Sequence, residues 1–406
     1  MRFASPLAPL HRIASLEPRS RQSQHGALRP GAQTGFLNAE GHDGGESSGP
    51  EYIAFGPHDA SGEASCEVVA EFEGTELEYA AIRRGCALFD DAWRGTIEVT
   101  GKDRLDLMNR LVTQDIRKLQ GGGVTRGFLT NRKGRIDADL SIVETADKLL
   151  LDLVAHDAAS VASTVQQFVF AESVSVADCT RSVHAISLHG PHAQRVLASI
   201  GLAMPDGAQV CSSELYGGTT VFATAVLGEQ GYSIRVAWGG AGALWNDLRA
   251  EELVRRAGWN AYNIARIENG EPIFRIDFGP THLPHETGVL ETRVSFTKGC
   301  YPGQEVVARM QHLGKPKQIL VGLRLRSDLL ATGDAAVFAD LDGVQGEQIG
   351  TVTSSSVAPM LGAASVAFAM IRSHSSATGT MVFVEAEGEV VRAQVQALQF
   401  FGGAAS

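Results

Sequence analysis

The stretch that decides the fold begins at Gly95-Thr96-Ile97-Glu98-Val99 and runs to Phe170. Its first five residues alternate apolar and polar as a strand does. Thr100 then stands where a helix cap belongs, and Leu105, Met108, Leu111 and Val112 form an apolar stripe at helical spacing. Three strand patterns follow with no helix between them, at residues 124–129, 136–143 and 148–154. A helix is expected from about 157 to 170. A strand, a helix, three strands and a helix are not the strict alternation of a doubly wound sheet. They predict α+β layers.

Working outward, Val68, Val69 and Phe72 suggest a short strand, and Thr75-Glu76-Leu77-Glu78 fits a capping box for a helix that ends at Gly85. On the other side the pattern repeats in kind. Strands are expected at 184–188, 219–226 and 232–237, with helices at 191–200, 242–256 and 260–268. From Gln318 the character changes to short β runs between Gly-rich turns, at 319–325, 348–353, 366–371, 381–385 and 390–398. These predict an all-β barrel or sandwich. The expected organisation is a disordered tail over 1–65, a first α+β module over 66–180, a second over 181–317 and a β-barrel over 318–402.

Of 406 residues, 35 are Lys or Arg and 46 Asp or Glu, a net charge of −11. That balance argues against a nucleic-acid binder, which needs clustered cations to neutralise phosphates. No run of about 18 apolar residues is present, so no membrane partner is expected. The five cysteines, Cys66, Cys86, Cys179, Cys211 and Cys300, form no C-x-x-C pair, which leaves zinc-ribbon and thioredoxin-type sites unsupported. The first 38 residues carry five Arg, no Lys and the single acid Glu17. Such a segment reads as an organelle transit peptide, a disordered extension or a start assigned too early. Its Gly-rich, acid-containing second half favours a cytoplasmic protein over an organelle matrix or stroma.

Two segments carry chemistry. In Asn131-Arg132-Lys133-Gly134-Arg135-Ile136-Asp137-Ala138-Asp139-Leu140 a basic turn runs into a strand that places Asp137 and Asp139 on one face. That face suits an amine-bearing substrate, or is simply a solvated strand. In Lys298-Gly299-Cys300-Tyr301-Pro302-Gly303-Gln304-Glu305 an irregular loop leads into a helix. Cys300 lies two residues from Lys298 and near a helix N-terminus, surroundings that favour a thiolate; the bland reading is an inert Cys in a tight turn. Tyr301, Gln304 and Glu305 add hydrogen-bonding groups. His282-Leu283-Pro284-His285 reads as a loop, since the proline makes a helical metal pair improbable.

The loop at 298–305 resembles the K-G-C-Y-x-G-Q-E signature of the YgfZ family, the folate-binding, iron–sulfur-cluster branch of the glycine-cleavage T-protein superfamily. Arg84-Gly85-Cys86-Ala87-Leu88-Phe89-Asp90 resembles the superfamily's opening, Leu188-His189-Gly190-Pro191 its middle and Arg266-Ile267-Glu268-Asn269-Gly270 its R-x-E-x-G helix. The resemblance implies a three-domain cloverleaf, with two ferredoxin-like α+β modules and a C-terminal β-barrel around a central tetrahydrofolate site. It implies that Asp139, the position of the T-protein's D-D-L carboxylate, and Arg266 bind folate, with Tyr232, Tyr301, Gln304 and Glu305 contributing. Ser233 stands where the T-protein has a pterin-contacting Glu. The function implied first is tetrahydrofolate binding in iron–sulfur cluster assembly or repair, with Cys300, Lys298 and Asp139 as the reactive set and iron–sulfur client proteins or assembly factors as partners. The alternative is an aminomethyltransferase of the glycine-cleavage type.

Overall fold

The computed structural model describes residues 4–14, 50–58, 64–119, 121–204 and 209–401. The chain opens with helix α1 (Ala8–Ala14) and a hairpin of β1 (Glu51–His58) and β2 (Ala64–Glu71); α1 and β1 lie within the stretch expected as a tail, and β2 carries the strand expected at Val68 and Val69. Leu7 explains why α1 is ordered: it is fully buried in the core of the second module, beside Trp245 and Leu248. Residues 1–3, 15–49 and 59–63 of the expected tail lie outside the described residues.

Helix α2 (Thr75–Arg84) follows, then β3 (Cys86–Asp90) and β4 (Arg94–Thr100). The capping box expected at α2 does not form. Thr75 Oγ1 donates to Glu71 instead, and Glu78 turns back to accept the Phe72 and Glu73 amides at 2.6 and 2.8 Å and the distant Gly258 amide at 2.8 Å. Helix α3 (Arg104–Asn109) begins after Asp103 rather than Thr100. Strands β5 (Gly123–Thr130), β6 (Ile136–Glu144) and β7 (Lys148–Val154), helix α4 (Ala158–Gln166) and β8 (Ser175–Asp178) complete the first module. Its antiparallel sheet has the order β5-β6-β7-β4-β8, and one face packs on α3 and α4 through Leu107, Met108, Val161 and Val165.

The second module contains β9 (Val183–His189), α5 (Ala193–Ser199), β10 (Val210–Ser213), β11 (Thr219–Thr224), β12 (Gly231–Ala237), α6 (Ala241–Ala250), β13 (Val254–Arg256) and α7 (Trp259–Glu268). The long helix expected over 242–256 stops early, and its last residues pair in parallel with β3. The sheet order is β10-β11-β12-β9-β3-β13. The boundary expected at residue 180 is therefore crossed, because β3 precedes the first module's sheet yet completes the second's.

Helices α8 (Leu290–Arg293) and α9 (Gln304–Leu313) lead to β14 (Gln318–Leu325), β15 (Ala336–Leu341), β16 (Val344–Ala358), β17 (Ala364–Arg372), β18 (Met381–Ala386) and β19 (Glu389–Gln396). These six close into a barrel in the order β14-β17-β16-β15-β18-β19, with β14 also paired to β19. Barrel and modules share an apolar seam of Phe128, Ile136, Ile267, Phe274, Val366 and Phe368. The α+β architecture with a terminal barrel is the one expected from the sequence.

Candidate functional site

The free faces of the two sheets look at each other across a cleft of about 650 Å³, its mouth included. Strand alternation decides what lines it. On the first sheet, Asp139 and Ser141 share a face of β6, with Arg126, Asp152 and Arg94 beside them on neighbouring strands. The second sheet presents Ser187 and His189 from β9, Ser233 from β12, and Phe222 and Thr224 from β11. Tyr262 of α7 and the loop from Glu271 to Phe274 close one end.

The first sheet's wall is charged and tightly paired. Asp139 accepts Arg126 Nη2 at 2.8 Å and Arg293 Nε at 3.2 Å, and Glu271 Oε1 accepts from both arginines, at 2.9 Å from Arg293. Asp152 bridges Arg94 and Arg235. Burial alone would push the Asp139 carboxyl up, but Arg126 and Arg293, with Arg94 behind them, hold it below the ordinary carboxylate range. Asp139 is thus an ionised carboxylate at neutral pH, suited to orient an amine or N–H group rather than to donate a proton.

The opposite wall is polar but uncharged for much of its area. Ser187 Oγ and His189 Nδ1 are buried with no hydrogen-bond partner among the described residues. Buried polar groups without partners are rare in native proteins.

Of the residues expected at the folate site, Asp139 lines this cleft and the others do not. Tyr232 points to the far side of β12 and is buried in the second module's core, where Gln230 donates to its hydroxyl at 2.6 Å. Arg266 is buried behind the cleft. Its guanidinium bonds Asp277 Oδ2 at 2.8 Å, Asn263 at 2.9 Å, Ser354 Oγ at 2.7 Å and the Glu271 carbonyl at 3.2 Å. Asp277 in turn accepts the Ile273 amide, so Arg266 holds the loop that closes the cleft.

The loop at 298–305 lies on the outer side of the first module. Cys300 is exposed at the rim of a groove formed with Leu107, Arg110, Leu111, Phe168 and Phe170. Lys298 does not serve its thiol. Nζ donates to the carbonyls of Asn109, Val112 and Gln114 at 2.6, 2.6 and 2.9 Å, which tie down the turn after α3. Tyr301 is buried under that ammonium, Gln304 begins α9, and Glu305 is exposed. The loop meets the basic turn before β6: Thr130 donates to the Pro302 carbonyl at 2.7 Å, and a Cβ on Gly303 (φ 80°) would sit 2.3 Å from the Asn131 carbonyl oxygen. The two segments singled out in the sequence are therefore neighbours, and only the second half of one reaches the cleft.

Sequence reasoning missed Arg126, Arg293 and Glu271, as well as Asp91, Ser187 and His189 of the opposite wall. They come from five separate segments, and no spacing links one segment to another. Among the described residues no helix is long and apolar enough to cross a membrane.

Comparison with known proteins follows the same division of the chain. A family described as the GCVT N-terminal domain matches residues 55–298, and one described as the glycine cleavage T-protein C-terminal barrel domain matches 319–401. An aminomethyltransferase of Moorella thermoacetica is 27% identical over 364 residues, covering 86% of this chain and 96% of that protein. One of Geobacillus kaustophilus is 25% identical, covering 82% and 92%. The crystal structure of the glycine cleavage system aminomethyltransferase T from Bartonella henselae superposes with a TM-score of 0.76 at 23% identity, over 87% of this chain and 94% of that one, a likeness of fold. These relatives overturn the expectation of a role in iron–sulfur cluster assembly or repair with iron–sulfur clients. Matched over most of their length, they bear the name of the alternative.

Proposed function

We propose, from the premise that this chain belongs to the glycine-cleavage T-protein family, that it is a tetrahydrofolate-dependent aminomethyltransferase. The observation that carries the reading is Asp139, a buried, ionised carboxylate on the cleft wall, fixed by Arg126 and Arg293 at the position of the family's D-D-L acid. The cleft suits a folate in the kind of groups it presents, since buried polar atoms without partners stand opposite that carboxylate. Tetrahydrofolate, when bound, supplies the nitrogens that take up the one-carbon unit. The chain's own part is positional: Asp139 holds and orients the donor's amine. Tyr262, Phe274 and Phe222 keep water from it. Arg266 acts at one remove, by fixing the loop at 271–274.

Within the family, the loop at 298–305 supports a place on the YgfZ-like branch. Cys300, Tyr301, Gln304 and Glu305 supply an outer surface in this reading, and Lys298 supports it from beneath. The test is an assay of the purified chain with a carrier protein bearing an aminomethylated dihydrolipoyl arm. Release of ammonia that requires tetrahydrofolate and is lost in Asp139→Ala is expected. Absence of folate-dependent ammonia release from the unmodified chain overturns the proposal.

A further inference from the structure

We propose that Arg275 and Asp157 are a positioning pair for the aminomethyl transfer: Asp157 of the first module holds Arg275 in a left-handed backbone conformation, and that conformation sets the loop that closes the cleft. Neither residue lines the cleft itself. The proposal rests on the aminomethyltransferase reading above and deepens it by adding residues that act on the reaction from outside the cleft.

Arg275 has φ 77°, in the left-handed region that glycine enters freely and a side chain such as arginine seldom adopts. Such a conformation persists where its surroundings impose it, and it collects at functional sites. The backbone around it is tightly turned. The Arg275 amide donates to the Phe278 carbonyl at 2.7 Å, and the Ile276 and Asp277 amides donate to the Ile273 carbonyl at 3.1 and 2.8 Å. Phe274, the residue before, lines the cleft together with Glu271. The left-handed residue thus turns the chain directly after its cleft-facing stretch.

What imposes the turn comes from another module. Arg275 Nη2 donates to Asp157 Oδ1 at 2.7 Å and Nε to Oδ2 at 3.2 Å, a bidentate pair. Asp157 stands at the N-cap position of α4, where a carboxylate ordinarily accepts the helix's first free amides, yet it makes no capping hydrogen bond. Its side chain is turned to Arg275 instead. His156 lies beside it, with Nε2 3.5 Å from Asp157 Oδ2. Burial lowers the His156 imidazole pKa, Asp157 opposes that and Arg275 adds to it, so the ring is neutral at pH 7 and does not compete with Arg275 for the carboxylate. Asp157 follows Val154, the last residue of β7, by three positions, and Asp152 and Val154 both line the cleft. The pair therefore ties the closing loop to a strand of the first sheet's wall.

The loop has two further anchors. Arg266 grips Asp277 from behind, and Glu271 meets Arg126 and Arg293, the cations that hold Asp139. Arg275 acts between these anchors, and its guanidinium also covers the Phe274 ring, 5.3 Å from the centroid. Loss of the left-handed turn swings Phe274 and draws Glu271 away from the two arginines, so that Asp139 loses its fixed orientation.

The experiment compares the full chain with Asp157→Ala, Arg275→Ala, their double variant and Arg275→Gly. Each is assayed for folate-dependent ammonia release from the aminomethylated carrier, with kcat and the KM for the carrier separated, and amide exchange of residues 271–278 is followed alongside. Arg275→Ala and Asp157→Ala are each expected to lower kcat at least about tenfold, with KM changed by less than about twofold, because a misplaced guide is felt in turnover. The double variant should be no slower than the singles, as for two residues that act as one unit. Arg275→Gly adopts the same φ without strain, so its kcat should lie within about threefold of the unmodified chain's. Exchange in the loop should be fast in the alanine variants and slow in Arg275→Gly. Unchanged kcat in Arg275→Ala, or equal impairment of Arg275→Gly and Arg275→Ala, overturns the proposal while the aminomethyltransferase reading stands. Absence of folate-dependent ammonia release from the unmodified chain overturns that reading and the positioning role with it. Should an alanine variant fail to fold, Asp157→Asn, close in size, decides by the same criterion in kcat.

Discussion

At the scale of the residue, Asp139 couples stability to chemistry. Asp139→Asn leaves Arg126 and Arg293 buried with half of their compensation, a loss expected to cost about 3–5 kcal/mol as for other broken buried pairs. Turnover in the aminomethyl assay should drop by about 100-fold or more, since the donor amine loses its guide. Thermal unfolding and the kinetics, measured on one preparation, check both. The pH dependence has a definite sign. Arg126 and Arg293 place the folded carboxyl below its unfolded value, so the stabilisation is complete above about pH 4 and lost as the pH falls through the lower folded value. A plot of Tm against pH should therefore fall steeply below about pH 4, less so in Asp139→Asn. Lys298 belongs to the architecture: replacing it by Met strands three carbonyls after α3 and should cost about 2–4 kcal/mol in urea unfolding. Asp139 was legible because a strand's period of two exposes alternate residues on one face. Arg293 and Glu271 were not, because a short helix and a loop far along the chain bring them to β6, and nothing local marks them.

At the scale of the element, most strands and helices were legible from period and turn chemistry, and the failures have local causes. Strand β15 pairs with β16 through two register irregularities, which break the alternation that would have revealed it. Strand β13 is three residues long and continues the helical pattern of α6, so only its tertiary partner β3 identifies it. The box at Thr75 failed because Glu78 serves a long-range partner, the Gly258 amide. Helix α1 rests on Leu7 and on His11, whose Nδ1 lies 3.0 Å from the Tyr52 hydroxyl and whose Nε2 lies 3.6 Å from Asp90. Burial lowers the imidazole pKa, Asp90 opposes that, and Arg256 and His184 add to it. Docking is therefore favoured with His11 neutral and weakens as the pH falls below about 6.5. Amide exchange in α1 should accelerate relative to that in α5 between pH 7 and 5, and His11→Gln should flatten the difference.

At the scale of the whole molecule, three modules are joined by the shared apolar seam and by specific polar groups that cross it. Arg266 is one of the polar groups, joining α7 to β16 through Ser354 and to the cleft loop through Asp277. Arg266→Met leaves Asp277 buried without its cation and should cost about 3–5 kcal/mol. Calorimetry should then resolve the barrel's transition from that of the paired sheets, where the unmodified chain gives one. The modular plan was legible in the sequence through the shift to short β runs near residue 318. The true boundary between the first two modules was not, because sheet membership depends on which strands meet in space.

That crossed boundary bears on synthesis. On the ribosome β3 emerges early, but its neighbours β9 and β13 follow only after the entire first sheet has been made. The first sheet is in effect a guest threaded into its host, and it can fold while the host's edge waits unpaired. Cutting the chain near residue 180 would therefore strand β3 on the wrong fragment. Excising the guest from β4 to β8 and rejoining its flanks is the cut that respects how the molecule is put together.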